Sequence, residues 1–115
     1  YIESVDGRTY LYDKANSYLC KKSLQALEEE LGNTPFVRVS KTCLLNTFYL
    51  RCVETYPNHR LKAELGNGEQ IIISRNYIDN LYKKIKSGYI ITNYENINAR
   101  IFFRDAFQFH IFYLL

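Results

Sequence analysis

The sequence predicts a mainly β fold with two short helices, and three observations support this. The composition is rich in Tyr, with 11 residues, and in Phe, with 7, and both residue types favour strands. Alternating apolar and polar segments are separated by the hairpin signals Asp6-Gly7 and Gly66-Asn67-Gly68. Two other segments carry apolar residues at helical spacing.

The N-terminal part of the chain predicts a β-meander followed by a helix. Strands are predicted over residues 1–4, 8–13 and 18–20, with turns at 5–7 and 14–17. Ser23 is placed to cap a helix over residues 24–31 by accepting a hydrogen bond from a backbone N–H. Leu24, Leu27 and Leu31 form its apolar stripe. Glu28-Glu29-Glu30 is expected to face water, where its charge would repel a polyanion.

The second part predicts five more strands and a second helix. The strands are expected over residues 36–39, 43–45, 50–56, 60–65 and 70–73. Ser74 is expected to cap a helix over residues 75–86, whose buried stripe comprises Tyr77, Ile78, Leu81, Tyr82 and Ile85. Lys83, Lys84 and Lys86 lie in its last turn, where cations suit the helix dipole, so they are not counted as ligands of a polyanion.

The charge is unevenly distributed along the chain. The net charge is only +3, but residues 36–86 carry nine Lys or Arg against four Asp or Glu. The rest of the chain carries six against eight. A basic middle weakly indicates a polyanion partner such as nucleic acid, although an unevenly charged solvated surface is the more common cause of a patch of this size.

The cysteines and the N-terminal sequence indicate which cellular compartment to expect for this protein. Cys20, Cys43 and Cys52 are odd in number and not closely spaced, which argues against a secreted disulfide framework. No signal-peptide pattern is present, and the first residue is not Met, so a cut or processed N-terminus is expected. No apolar run reaches the roughly 20 residues that span a bilayer. We therefore expect a reducing cytoplasm.

The chemistry of common enzyme sites is missing from the sequence. There is no glycine-rich phosphate loop, and His59 and His110 are the only imidazoles. Cys43, Cys52 and His59 match no common zinc spacing. The three consecutive glutamates are typical of a solvated helix face rather than of an acid–base pair. The sequence therefore predicts no catalytic residues, no metal and no cofactor.

Three segments interrupt regular structure with polar or basic residues beside apolar runs. We call them the first turn (residues 6–9), the central turn (residues 40–42, Ser40-Lys41-Thr42) and the helix start (residues 74–76). Arg75 could present two parallel donors to guanine O6 and N7, and Lys41 could reach a guanine or a phosphate. The expected phosphate contacts are Ser40, Thr42, Ser74 and Asn76. Each segment also has a purely structural explanation as a turn, a cap or a surface residue.

Two longer stretches resemble a known family. FVRVSKTCLLN at residues 36–46 and NGEQIIISRNYIDNLYKKI at 67–85 look like the LytTR DNA-binding domain, and IESVDGRTYLY and KSLQALEEEL fit its start. That domain is the output domain of bacterial response regulators that control quorum sensing, bacteriocin and virulence genes. The likeness covers about residues 1–86, in the family's order. Ser40-Lys41-Thr42 lacks the histidine that often opens this triplet in the family.

The resemblance implies a fold and a way of reading DNA. The fold is mainly β, with short antiparallel sheets stacked along the chain, about ten strands in all, and two small flanking helices. Loops rather than a recognition helix contact the bases, at positions matching Thr9 or Arg8, Lys41 and Arg75. The implied target is double-stranded DNA carrying direct repeats, bent by two protomers. A receiver domain usually precedes the module in that family.

Residues 87–115 form an aromatic C-terminal extension that the resemblance does not explain. Residues 101–115 alone contain five Phe, one Tyr and one His. The extension is expected to be an extra helix or strand on the core, a dimer contact, or the start of a further segment. The alternative function is therefore a protein–protein interaction module that uses this tail and does not bind DNA. A third hypothesis is a small redox or metal module built on the cysteines.

Overall fold

A computed structural model describes residues 1–13, 15–85, 89–91 and 100–103. Within these residues the chain forms two five-stranded antiparallel sheets and two short α-helices. The predicted class, a mainly β fold of stacked antiparallel sheets with two flanking helices, is confirmed. None of the described helices is long and apolar enough to cross a membrane.

The first sheet holds the N-terminal strands in the order β3-β2-β1-β5-β4. Its members are β1 (Ile2–Val5), β2 (Arg8–Tyr12), β3 (Ser17–Cys20), β4 (Phe36–Ser40) and β5 (Cys43–Asn46). Asp6 and Gly7 adopt φ values of 52° and 78°, which a two-residue hairpin of the predicted kind requires. Helix α1 (Leu24–Glu30) connects β3 to β4, and the Ser23 hydroxyl accepts a 3.1 Å hydrogen bond from the Ala26 N–H, as predicted.

The second sheet has the order β8-β7-β6-β10-β9. Its members are β6 (Leu50–Tyr56), β7 (Arg60–Leu65), β8 (Gln70–Ile73), β9 (Tyr89–Ile91) and β10 (Arg100–Phe103). Because β10 pairs with β6, part of the C-terminal extension joins the same sheet as the strands before it. Helix α2 (Ile78–Ile85) lies between β8 and β9 and follows a 3-10 turn over Arg75–Tyr77.

The main core lies where the first sheet meets the second sheet and α2. Val39 and Leu45 from the first sheet, Val53 and Ile73 from the second, and Leu81 from α2 are all fully buried. A smaller cluster on the other side of the first sheet contains Ile2, Leu24, Leu27 and Leu44. The first sheet is therefore covered on one face by α1 and on the other by the second sheet, which holds its loops in fixed positions.

A β-bulge at Val39 links the two sheets. Arg38 pairs with Leu44 and Ser40 pairs with Cys43, so Val39 is the extra residue on β4. Its carbonyl accepts a 2.9 Å hydrogen bond from the Ser74 N–H, at the end of the second sheet. The bulge therefore ties the central turn to the helix start.

The second helix differs from its prediction at its start, whereas Lys83 and Lys84 lie in its last turn as predicted. It begins as a 3-10 turn, and the side chain of Ser74 makes no capping hydrogen bond, so the predicted cap is wrong. The Lys84 ammonium group donates a 2.9 Å hydrogen bond to the Gly32 carbonyl, beyond the end of α1, rather than serving only its own helix. Sequence spacing shows neither feature, because both depend on segments distant in the chain.

Strand β6 does not keep a simple alternation of buried and exposed residues. Leu50 and Cys52 are buried, as the two-residue period of a strand allows, but Val53 is fully buried too. The register between β6 and β7 shifts between Leu50 and Cys52, which breaks the simple two-residue period. Predictions on Lys14, Lys86, His110 and residues 104–115 lie outside the described residues.

Candidate nucleic-acid interface

The three segments singled out in the sequence lie at one end of the molecule. Strands β1, β4, β6 and β8 run in matching directions within their antiparallel sheets, so the turns that follow them lie at the same end. The Ser4 N–H donates a 2.8 Å hydrogen bond to the Thr42 carbonyl, which places the end of β1 beside the central turn. The Ser74 N–H bond to Val39 places the helix start on its other side.

A groove of about 720 Å³ joins the central turn to the helix start. Its lining comprises Ser40, Lys41, Thr42, Asn58, Arg60, Ser74, Arg75, Asn76 and Tyr77. This lining carries three cations and no carboxylate, so the groove is electrostatically suited to a polyanion.

Sequence reasoning missed three lining residues, Asn58, Arg60 and Tyr77, the last of which it assigned to the buried stripe of the second helix. Asn58 lies in the turn between β6 and β7, where Asn58 and His59 adopt φ values of 66° and 60°, and Arg60 begins β7. Arg60 donates through Nε to the Pro57 carbonyl at 3.0 Å and stacks over the Tyr56 ring at 5.0 Å. Strand direction was the available signal, since a turn that closes β6 must lie at the same end as one that follows β8.

The three cations predicted to contact bases, Lys41, Arg75 and Arg8, are all exposed. Lys41 sits at the centre of its turn, and Arg75 begins the 3-10 turn. Thr9, the alternative to Arg8 as a base contact, is only 6% exposed and lies in β2 between β1 and β3. Its burial conflicts with a direct base contact, and of these two residues Arg8 is the exposed one.

The small polar residues shape the loops as well as lining the groove. The Ser40 hydroxyl accepts the Thr42 N–H at 3.2 Å and lies 3.4 Å from the Thr42 hydroxyl. These local bonds favour a tight turn over a continued strand. Asn76 is exposed beside Arg75 and Ser74 is half-buried, so phosphate contacts from these residues stay predictions.

The three glutamates of α1 do not all face water. Glu28 is half-buried and forms an ion pair with Arg38 at 2.7 Å, and Glu30 pairs with exposed Lys22. Glu29 and Glu30 are exposed, as the predicted solvated face requires, and Glu28 is the one that departs from it. The pair between Glu28 and Arg38 was invisible in sequence, because α1 and β4 meet only in the folded chain.

A second cavity, of about 890 Å³, lies at the opposite end of the strands. Its lining includes four aromatic residues, among them Tyr1 and Tyr12, whose rings stack at 4.7 Å. Its one charged lining residue is Asp13. The lack of lysine and arginine side chains in this lining makes this end a poor surface for a polyanion and leaves the groove as the candidate interface.

The thiols have the character of core residues. No disulfide joins the three cysteines, and Cys43 and Cys52 are buried. Burial raises the pKa of the Cys43 thiol to about 12. Among the described residues, no group of three or more His, Cys, Asp or Glu side chains is placed to hold a metal ion.

We expect Cys43 to resist alkylation in the folded protein. Only the thiolate is nucleophilic, and at pH 8 burial keeps this thiol protonated. Iodoacetamide followed by peptide mass spectrometry should find Cys20, which is half-buried, modified faster than Cys43. In urea the two should react at similar rates, and equal rates in the folded protein would contradict the prediction.

The same pKa shift has a consequence for stability. Above the ordinary value of 9.0 the unfolded thiol loses its proton, whereas the folded thiol keeps it up to about pH 12. The unfolded state then binds fewer protons, so the contribution of Cys43 to the free energy of unfolding falls across that window. Cys43→Ala should lose less stability between pH 8 and pH 11 than the parent protein in urea titrations.

Comparison with known proteins identifies the family to which this chain belongs. The family model described as the LytTr DNA-binding domain matches residues 1–86, which include all three segments and the groove. The chain belongs to this family. Response-regulator output domains are its relatives, so the resemblance seen in the sequence is confirmed.

Similar proteins of known description agree with this LytTr assignment. The chain is 26% identical over 83 residues to the sensory transduction protein LytT of Bacillus subtilis (strain 168), covering 72% of this chain. It is 24% identical over 86 residues to the LytT protein of Enterococcus faecalis (strain ATCC 700802 / V583), covering 74% of this chain. The chain spans about a third of the length of these relatives, 34% and 36% respectively.

A solved structure shares the fold of the LytTr domain described above. It is a LytTr DNA-binding domain from Bacillus cereus, assigned to a methyl-accepting/DNA response regulator. The TM-score is 0.64 at 25% sequence identity, and the match covers 72% of this chain and 76% of that one.

Proposed function

We propose that this LytTr domain binds double-stranded DNA in a sequence-specific manner, as the non-enzymatic output domain of a bacterial transcription regulator. The observation that supports it best is the groove, in which Lys41, Arg60 and Arg75 come from three different turns and no carboxylate is present. The reading elements are turns at strand ends, held by a sheet on either side.

The residues proposed to contact DNA fall into two groups, those suited to contact bases and those suited to contact phosphates. Arg75 offers a planar pair of donors that fits guanine O6 and N7 in the major groove. Lys41 is a point charge that suits either a guanine edge or a phosphate. Arg8 extends the basic surface along the first turn, while the hydroxyls of Ser40, Thr42 and Ser74 and the amide of Asn76 suit phosphate oxygens.

The expected assembly follows from the family. Two protomers would occupy direct repeats on one bent duplex, and a receiver domain would control the module in a two-component system. We expect the reducing cytoplasm as the compartment, since the protein's three cysteines form no disulfide.

Selection from a random pool of double-stranded DNA, followed by a salt titration, tests this function. We expect the selected sequence to bind at least about 10³-fold more tightly than random DNA at physiological salt. Its affinity should fall steeply with salt, with a log–log slope of about −0.9 for each phosphate neutralised. Binding through an apolar surface would show little salt dependence.

Arg51→Ala is the matched control for groove substitutions. Arg51 is an exposed arginine near the start of β6, at the end of the strand away from the groove, and its only described ion pair is a long one of 3.7 Å to Glu64. Its removal should leave both selected-site affinity and salt slope unchanged. A pool that yields no enriched sequence would contradict the proposed function.

A further inference from the structure

Arg38 uses every part of its guanidinium group inside the protein. Its Nε donates to the Ser40 carbonyl at 2.7 Å, and its Nη2 donates to the Lys41 carbonyl at 2.5 Å. Its Nη1 donates to the Glu28 carboxylate at 2.7 Å. Only 16% of the side chain is exposed. The guanidinium group of Arg38 is therefore already paired with α1 and with the central turn. We do not expect it to contact a DNA phosphate directly.

The geometry of these bonds demands arginine. A guanidinium is a rigid plane whose donors point in fixed, different directions, so it can hold two successive carbonyls and a carboxylate at once. A lysine ammonium is a single point charge on a flexible stem, and from position 38 it could not keep all three partners in these directions. The bulge at Val39 contributes, because it places Ser40 out of the regular strand register beside Arg38.

The two carbonyls that Arg38 holds flank the backbone of Lys41. With the hydrogen bond from the Thr42 N–H to the Ser40 hydroxyl, they fix the conformation of a turn that is otherwise exposed. A long flexible side chain loses conformational entropy when it binds, and a fixed backbone limits how much more must be ordered. Fixing the turn therefore favours one direction for the Lys41 side chain.

We propose that Arg38 is a positioning residue for DNA recognition, which holds the central turn against α1 through Glu28 so that Lys41 meets a defined part of the duplex. The inference rests on the proposed function. Through Glu28, helix α1 would then contribute to DNA recognition without contacting the DNA.

A double-mutant cycle with Lys41 tests the proposal. The variants are Arg38→Lys, Lys41→Ala and the double substitution, each measured on the selected DNA sequence and on random DNA. Arg38→Lys should weaken selected-site binding about ten-fold and leave random-DNA affinity and the salt slope nearly unchanged. In the Lys41→Ala background the same substitution should change selected-site binding less than two-fold.

A readout without DNA separates positioning from general destabilisation. Amide hydrogen exchange at residues 41 and 42 should speed up in Arg38→Lys, while exchange at the core residues Val53 and Ile73 should not change. Glu28→Gln, which keeps both carbonyl bonds, should give a smaller effect of the same kind and serves if Arg38→Lys folds poorly. Arg51→Lys is the matched control and should change neither exchange nor binding.

The outcomes distinguish the inference from the function beneath it. Equal losses from Arg38→Lys with and without Lys41, or unchanged exchange in the central turn, overturn the positioning role while leaving DNA binding intact. Equal loss on selected and random DNA overturns it as well, because that pattern marks a simple phosphate contact. A random pool that yields no enriched sequence overturns both the proposed function and this inference.

Discussion

Replacing Arg75 with alanine is expected to weaken binding to the selected DNA site by about 1–3 kcal/mol, a loss of roughly five- to 150-fold. The reason lies in how the backbone at Arg75 is held. The preceding Ser74 donates its N–H to the Val39 carbonyl, and its own carbonyl accepts the Tyr77 N–H at 2.9 Å. Because the backbone is already fixed, only the exposed side chain must be ordered when it meets a guanine.

The measurement is a pair of binding titrations, on the selected site and on random DNA. Arg75→Ala should relax the preference at one base pair and affect random DNA much less. Arg75→Lys should keep the salt slope but lose the preference, because an ammonium group cannot make two parallel bonds. Arg51→Ala should match the parent protein on both duplexes. An equal loss on both duplexes would reassign Arg75 to the phosphate backbone.

Replacing Leu81 with alanine is expected to lower the free energy of unfolding by about 2–5 kcal/mol. Leu81 is fully buried in the main core, together with Val39 of the first sheet and Ile73 of the second. Removing its side chain leaves a cavity where α2 meets both sheets. Such a loss is a large part of the roughly 5–15 kcal/mol that stabilises a small domain.

Urea unfolding curves of Leu81→Ala and Leu19→Ala measure the change in the free energy of unfolding at each position. Leu19 lies on β3 with 63% of its surface exposed, so its truncation should change stability by less than about 0.5 kcal/mol. The same chemical change at two positions thereby isolates burial as the cause. A loss below about 1 kcal/mol at Leu81 would mean that the helix does not hold the two sheets together.

Much of the fold was predictable from local patterns. Asp6-Gly7 and Gly66-Asn67-Gly68 marked hairpins because a positive φ suits glycine and, to a lesser degree, aspartate, and Asp6, Gly7 and Gly68 adopt it. The alternation of Leu61, Ala63 and Leu65 predicted the buried face of β7, and the structure buries all three. These features depend on neighbouring residues alone, so a single sequence contains them.

The candidate site was only partly predictable. Lys41 and Arg75 stood out because each interrupts an apolar run, and the structure brings their segments together around one groove. Arg60 did not stand out, since a charge on an alternating strand is ordinary. The family resemblance implied Thr9 or Arg8 as a base contact, and only the folded structure showed that Thr9 is buried.

The sequence by itself determined the strands, the turns and the family of this protein, because those follow from periodicity, turn chemistry and motif. Only the tertiary structure decided which side chains meet. The bond from Ser74 to Val39, the pair of Arg38 with Glu28 and the arrival of Arg60 in the groove all join residues from separate elements. Such contacts depend on how the sheets and helices pack together, and the spacing of residues in the sequence does not predict that packing.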